Sequence, residues 1–386
     1  MEGGVGAFTE QLGRALAALG HDIHIITSTR ARPLDAPRTI ASVREPVELD
    51  YAQLHPRVGR WRWPSLTVVT DIAIRYNLDV VNLQYQAAAF DMRSAAINFL
   101  PWRLKSIAPV VVTFHDLRVP YLFPKAGRLR ERAVRELARR AQGCIATNQA
   151  DLTQLRAWID GPVRQIPIGS NIDVYIPNHV EIEEARLHLG LAEEDTLLGY
   201  FGFLNETKGA DVLVDALALL NERFHLVFIG GQTGASDPHN NQSFLGNLHR
   251  EIDRAGLANR VHWTGFVAPD RVSTFMAAAD LMVMPYRDGV SLRRGTLMAA
   301  LAHGRPLITT NPIAEVPEFR HGENMWIVKP DDPIALAGAV QSLAGDEILR
   351  TRLGQGAREL ARSFSWDAIA AQTVALYAEL VPESGR

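Results

Sequence analysis

Residues 197–221 read LLGYFGFLNETKGADVLVDALALLN, and this stretch sets the fold. The apolar run 197–201 suits a parallel strand covered on both faces. A glycine-punctuated turn follows at 202–209, and 209–221 has helical spacing. The same alternation extends in both directions. Downstream, strands are predicted at 225–229, 261–263, 281–284 and 306–309, with helices at 243–255, 269–278 and 292–303. Upstream, 8–20 puts Phe8, Leu12, Ala15, Leu16 and Leu19 on one helical stripe and stops at Gly20. Strands are predicted at His21–Thr27, Leu78–Leu83, Pro109–Phe114 and 144–147, and a basic amphipathic helix at 127–141. Such an order implies an α/β protein with doubly wound, Rossmann-like parallel sheets.

The chain has 386 residues, 47% of them apolar and 22% charged, which suits two ordinary globular domains. Residues 161–180 hold three prolines and no helical period, and read as the connection. The expected units are a first lobe at 1–170, a second lobe at 171–363, and a last helix, 364–386, packing back on the first lobe. Ligands of such sheets sit beyond the carboxyl ends of the strands, here in a cleft between lobes.

Composition excludes several functions. No run of eighteen apolar residues is present to span a membrane. The opening MEGGVGAF has no basic start and no apolar core of a signal peptide. Cys144 is the sole cysteine, so no internal disulfide or thiolate metal cluster forms, and a cytoplasmic home follows. The histidines show no HExxH or paired ligand spacing, so no metal is expected. Net charge is −3, but residues 1–170 carry 22 Lys and Arg against 15 Asp and Glu, and the remainder 18 against 28. The basic half suits an anionic acceptor or peripheral contact with the inner membrane face; equally, two halves of opposite sign attract each other. Helix 127–141 is ringed by Arg128, Arg130, Arg132, Arg135, Arg139 and Arg140, and Arg57–Trp63 mixes bases with aromatics. No nucleic-acid motif accompanies these patches.

Several stretches share one order and spacing with a known family. They are Gly3-Gly4-Val5-Gly6 before the first helix, His115 directly after strand 109–114, Gly202 to Gly209, VHWTGFV at 261–267, Ala279 to Tyr286, Ala302 to Ile308, and Ser365-Trp366. Together they resemble glycosyltransferase family four over nearly the whole chain. The resemblance implies the two-lobed GT-B architecture, with 1–170 as the acceptor-side lobe and 171–363 as the nucleotide-sugar lobe, and metal-independent transfer, with retention, from a nucleotide-sugar. The acceptor would be a sugar, a lipid-linked molecule or a small molecule. The chain departs from the family in three places. The family begins with a strand before its glycine turn, so either translation starts upstream or this copy is truncated. Two glutamates eight residues apart are replaced by Ser291 and Ala299, and an arginine by Phe203. The loop Asp288-Gly289-Val290-Ser291-Leu292-Arg293-Arg294-Gly295-Thr296 resembles a minor branch with Ser-Leu-Arg-Arg in place of the acidic pattern.

Sugar transfer needs the leaving diphosphate stabilised by cations and backbone N–H groups. The expected donor-binding residues are Gly3, Gly4, Gly202, Lys208, Val267, Asp288, Gly289, Val290, Ser291, Leu292, Arg293 and Thr296. Gly289 to Leu292 is placed where a loop leads into a helix, as phosphate sites often are, and Gly230-Gly231 is a further strand-exit turn. The resemblance puts His115 on the donor sugar, beside Asp116, and makes His115 and Lys208 the catalytic residues. No carboxylate pair resembles a glycosidase, so no protein nucleophile is expected. The family's retaining reaction proceeds on one face, the leaving phosphate oxygen taking the acceptor proton. A degenerate GT-B subunit that binds nucleotide or a partner enzyme is the alternative. A sugar-nucleotide epimerase is a third reading, which lacks the acidic pair it would need.

Overall fold

The structure is a computed structural model that describes residues 4–31, 45–90, 94–117, 127–170, 172–231 and 238–381. Two compact units divide the chain, one of Met1–Ile168 with Trp366–Arg386, the other of Gly169–Ser365.

The first unit opens with α1 (Gly4–Ala18) and β1 (His24–Ser28). Then come β2 (Val47–Glu48), β3 (Gln53–Val58), α2 (Trp63–Arg75), β4 (Val81–Tyr85), α3 (Leu100–Leu104) and β5 (Val110–Phe114). It continues with α4 (Gly127–Arg140), β6 (Gly143–Ala146), α5 (Gln149–Trp158) and β7 (Val163–Gln165). Its strands form two sheets, β1-β3-β2 and the parallel β4-β5-β6-β7. Every residue of β5 is buried, as its uninterrupted Val-Val-Val-Thr-Phe run requires. Helices α2, α3 and α4 cover one face through Leu66, Val69, Leu100, Leu104, Val134 and Leu137. The chain returns at α13 (Trp366–Leu380), whose Ile369, Ala370 and Leu376 share a core with Phe8, Leu12 and Leu16 of α1.

The second unit contains α6 (His179–His188), β8 (Thr196–Phe201), α7 (Ala210–Ala218), β9 (Phe224–Ile229), α8 (Pro238–Arg254), β10 (Val261–Gly265) and α9 (Pro269–Ala278). It ends with β11 (Leu281–Met284), α10 (Gly295–Ala302), β12 (Leu307–Thr310), β13 (Trp326–Val328), α11 (Pro333–Ala344) and α12 (Glu347–Ala361). One parallel six-stranded sheet orders them β10-β9-β8-β11-β12-β13. The winding reverses between β8 and β11, and open α/β sheets bind ligands beyond the strand ends at such a reversal.

Four expectations change. The segment 161–180 is not one connection: 163–165 is the edge strand β7, and α6 begins within it behind an Asn178–Glu181 capping box. A three-residue strand beside Pro162 is too short to show an alternation, and sheet edges tolerate proline. The first helix starts at Gly4, which places Gly4 in its first turn instead of in a loop, and Leu19 lies past its end, exposed. Arg57 and Val58 belong to β3, with Val58 buried, so only the second part of the 57–63 segment is surface. The helix expected from residue 292 begins at Gly295, because Val290 and Leu292 are both buried and hold their loop out of the helix. The first strand that the family resemblance implies falls ahead of Gly4, outside the described residues.

The packing of α13 gives a direct check. Ile369 is fully buried beneath α1, so Ile369→Ala should destabilise the first unit by about 2–5 kcal/mol. Denaturant unfolding monitored in that unit measures it; a loss below about 0.5 kcal/mol would mean α13 is a loosely attached tail.

Candidate functional site

Two loops meet at the reversal of the second sheet. The first leaves β8 at Gly202 and returns at Lys208; the second leaves β11 at Pro285 and reaches α10. Gly202 holds φ +128, and a Cβ there would come 2.8 Å from Thr296 Cγ2 and 3.4 Å from Lys208 Nζ. The position therefore needs glycine both for its backbone and for its close approach. Gly289 holds φ +72 against the backbone of Asn311–Ile313, where any Cβ would meet Asn311 O at 2.5 Å.

Arg287 ties the loops together. Its N–H donates to Thr207 O at 2.9 Å, and its guanidinium bridges Asp211 on α7 (2.8 Å) and Asp331 (2.6 Å). Arg294 lies over the Tyr286 ring, 4.4 Å from its centre, and pairs with Asp288. The buried Tyr286 hydroxyl meets Thr296 Oγ1 at 3.1 Å. These contacts lock the loop around Lys208.

The charge there does not balance. Burial first, and then Arg294, lower the Lys208 ammonium to about 8 against the opposing pull of Asp288. Asp288 is already engaged by Arg294. Two cations thus share one carboxylate in a site largely closed to water, so an anion arriving there is strongly favoured. Nearby, the Tyr200 hydroxyl and one Asp211 oxygen are buried without a hydrogen-bond partner, and burial pushes the Tyr200 phenol well above its ordinary range.

In the first unit His115 stands at the carboxyl end of β5. Its backbone N–H donates to Tyr85 O at 2.9 Å. Its Nε2 lies 3.0 Å from Gln84 Oε1, and the Phe8 ring meets it edge-on at 4.7 Å. Burial lowers the imidazole to about 4, so the ring is neutral at working pH.

Two family models match the chain. "Glycosyltransferase Family 4" covers residues 2–174, and "Glycosyl transferases group 1" covers residues 195–346. The chain thus carries a glycosyltransferase family 4 domain followed by a glycosyl transferases group 1 domain. It is similar to a D-inositol 3-phosphate glycosyltransferase of Jonesia denitrificans, 26% identical over 97% of this chain and 91% of the relative. Another, from Corynebacterium diphtheriae, is 26% identical over 98% and 90%. Among solved structures, sucrose-phosphate synthase from Thermosynechococcus elongatus superposes with a TM-score of 0.73 at 22% identity, covering 98% of this chain and 94% of that one. The Anabaena protein HepE, solved with UDP and glucose, gives 0.66 at 24% identity over 82% of each. The architecture is the two-domain GT-B fold, and the protein is a glycosyltransferase.

The residues singled out from sequence distribute unevenly in this glycosyltransferase. Gly202, Lys208, Asp288 and Thr296 converge with Arg294. Val290 and Leu292 are core side chains, so only their backbone can face a ligand. Ser291 is half-buried, and its carbonyl accepts from Arg294 N. Arg293 and Arg294 precede α10 and do not compete for one helical face. Val267 follows the edge strand β10, two strands from β8, beside the Gly230–Gly265 bridge. Gly4 has open space around it, and Gly3 lies outside the described residues. Ala299, where the resemblance implies a glutamate, is fully buried in α10. Phe203 is half-exposed against Gly231. Tyr286 and Gln84 were not recognised: each acts through a partner that only folding brings near.

Lys208→Ala should weaken nucleoside-diphosphate binding about tenfold or more, since a charge-assisted hydrogen bond contributes roughly 1.5–3 kcal/mol. In the wild-type protein, affinity should fall as pH rises through about 8, where the ammonium of the empty site loses its proton. Lys208→Gln should abolish that pH dependence. Titration calorimetry from pH 7 to 9.5 measures both; unchanged affinity in Lys208→Ala would remove the residue from the site.

Proposed function

We propose that this glycosyltransferase takes its sugar from a UDP-sugar and transfers it with retention, without a metal ion. The observation that carries the reading is the pair of cations, Lys208 and Arg294, sharing Asp288 beside the Gly202 turn. They supply the positive charge that the departing diphosphate needs. Gly289 and Val290 already donate their backbone N–H groups to Tyr286 O and Thr310 O, so the N–H groups of Ser291 and Leu292 complete the diphosphate cradle, and Ser291 adds a hydroxyl. His115 bonds a hydroxyl of the transferred sugar. The leaving phosphate oxygen takes the acceptor proton, so that attack and departure share one face. The choice of UDP is supported by HepE, which superposes on this chain and was solved with UDP.

The acceptor is a small anionic or lipid-linked molecule, and the enzyme works at an anionic membrane surface. Among the described residues no helix is long and apolar enough to cross a membrane. The support for surface contact is in the first unit. Trp63 and Trp102 are 56% and 58% exposed, and Ile74, three turns along α2 from Trp63, is 61% exposed. Trp63 contacts Phe99 at 5.2 Å, which joins α2 to α3. Exposed Arg60, Arg62, Arg103 and Lys105 flank the aromatics, and Arg132, Arg135 and Arg139 line the outer side of α4. The side chains of Arg128 and Arg130 lie outside the described residues. Aromatics among bases suit the boundary of an anionic bilayer, where each base contributes about 1 kcal/mol.

Two experiments test these statements. With EDTA present throughout, the wild-type enzyme should transfer from one UDP-sugar, and His115→Ala should lower turnover about 10²-fold while UDP affinity stays within about twofold. Loss of transfer that manganese restores would end the metal-free reading, and wild-type turnover in His115→Ala would end the residue's assignment. In flotation assays, vesicles with phosphatidylglycerol should carry the enzyme and pure phosphatidylcholine vesicles should not. Arg103→Glu with Lys105→Glu, or Trp63→Ala with Trp102→Ala, should release it. Equal recovery on both lipids, or unaffected variants, would rule out this surface.

A further inference from the structure

The His115 ring is neutral, so one of its nitrogens carries a proton and the other a lone pair. Which nitrogen does which decides what the residue can recognise, and β4 supplies the answer. Strand β4 pairs in parallel with β5, with Asn82 opposite Val111 and Gln84 opposite Thr113. On one face of this pair the same diagonal contact occurs twice. Thr113 Oγ1 donates to Asn82 Oδ1 at 2.9 Å, while Asn82 Nδ2 donates to the Tyr377 hydroxyl of α13 at 2.6 Å. Two residues further along each strand, Gln84 Oε1 lies 3.0 Å from His115 Nε2. An amide oxygen only accepts, so this contact is a hydrogen bond when Nε2 holds the proton. Phe8 closes the ring from the side at 4.7 Å, nearly perpendicular to it, which restrains rotation.

We propose that Gln84 is a positioning residue: it fixes His115 as the Nε2–H tautomer and so leaves Nδ1 as a lone hydrogen-bond acceptor for substrate. This deepens the proposed role of His115 and rests on it. A lone-pair acceptor takes a hydroxyl and repels a phosphate oxygen. The residue therefore selects a sugar hydroxyl, and a donor lacking that hydroxyl leaves Nδ1 unpaired. Gln84 itself touches no substrate. Its neutrality also matters, because a carboxylate at the same distance would stabilise the imidazolium and turn Nδ1 into a donor.

The test is the tautomer itself, read by two-bond ¹H–¹⁵N correlation on protein labelled at histidine nitrogen, with His115→Ala giving the assignment. Wild type should show Nε2–H from pH 5.5 to 8.5. Gln84→Leu should give a mixture of tautomers and about a tenfold lower kcat, with UDP affinity unchanged. Gln84→Glu should restore Nε2–H at alkaline pH and raise the ring's pKa. Its activity should then approach wild type near pH 9 and fall away as pH drops through the new pKa, where Nδ1 becomes protonated. An Nδ1–H tautomer in wild type, or an unchanged tautomer and kcat in Gln84→Leu, overturns the proposal while leaving His115 on the sugar. If His115→Ala turns over normally, the role of His115 fails first and that of Gln84 with it, whatever the tautomer.

Discussion

A lysine withdrawn from water beside an arginine, with one carboxylate between them, is an unfavourable arrangement for an empty protein. Lys208, Arg294 and Asp288 form that arrangement, and much of the second unit is organised to maintain it. Arg287 joins the Lys208 loop to the β11 loop through Thr207, Asp211 and Asp331. The Tyr286 ring supports the Arg294 guanidinium, and Thr296 holds the tyrosine hydroxyl. Val290 and Leu292 pin the intervening loop into the core. Bound diphosphate would relieve the repulsion, so the instability of the empty site becomes affinity and, as the sugar–phosphate bond breaks, rate.

The first unit works differently. Its polar groups on β4 and β5 form two successive rungs that are neutral, hydrogen-bonded and shielded from water by α1 and α13. A neutral hydrogen-bonded group loses little on burial, whereas a charged one loses much. Exposed bases of this unit lie on α3 and α4 and just ahead of α2, and the exposed Trp63 and Trp102 accompany those near α2 and α3. One face of the sheet is therefore built for directional hydrogen bonding.

The two positions where the resemblance implies glutamates, Ala299 and Ser291, fit this design. Ala299 packs fully buried in α10, next to the turn where its carbonyl receives His303 Nδ1 at 2.7 Å. Ser291 lies in the loop four residues before Gly295, where α10 starts, half-buried. With neither glutamate present, Asp288 is the carboxylate acting on Lys208. The local balance is thereby shifted toward positive charge. Nothing in the structure explains why Phe203 stands where the family has an arginine.

The sequence by itself determined the alternation of strands and helices, and hence the doubly wound sheets. Burial on both faces imposes continuous apolar runs such as 110–114 and 281–284, and these are local properties of the chain. It also marked Gly202 and Lys208, whose spacing belongs to one loop. It misplaced the start of α10 and hid β7. The burial of Val290 and Leu292 and the pairing of 163–165 with β6 are long-range facts that outweigh local preference. Only the tertiary structure placed Arg294 over Tyr286, set Asp288 between two cations, and brought Gln84 to His115 across thirty-one positions of sequence. Hydrogen bonds and ion pairs act over a few ångströms in space, whatever the separation along the chain, so they become legible once the sheet has closed.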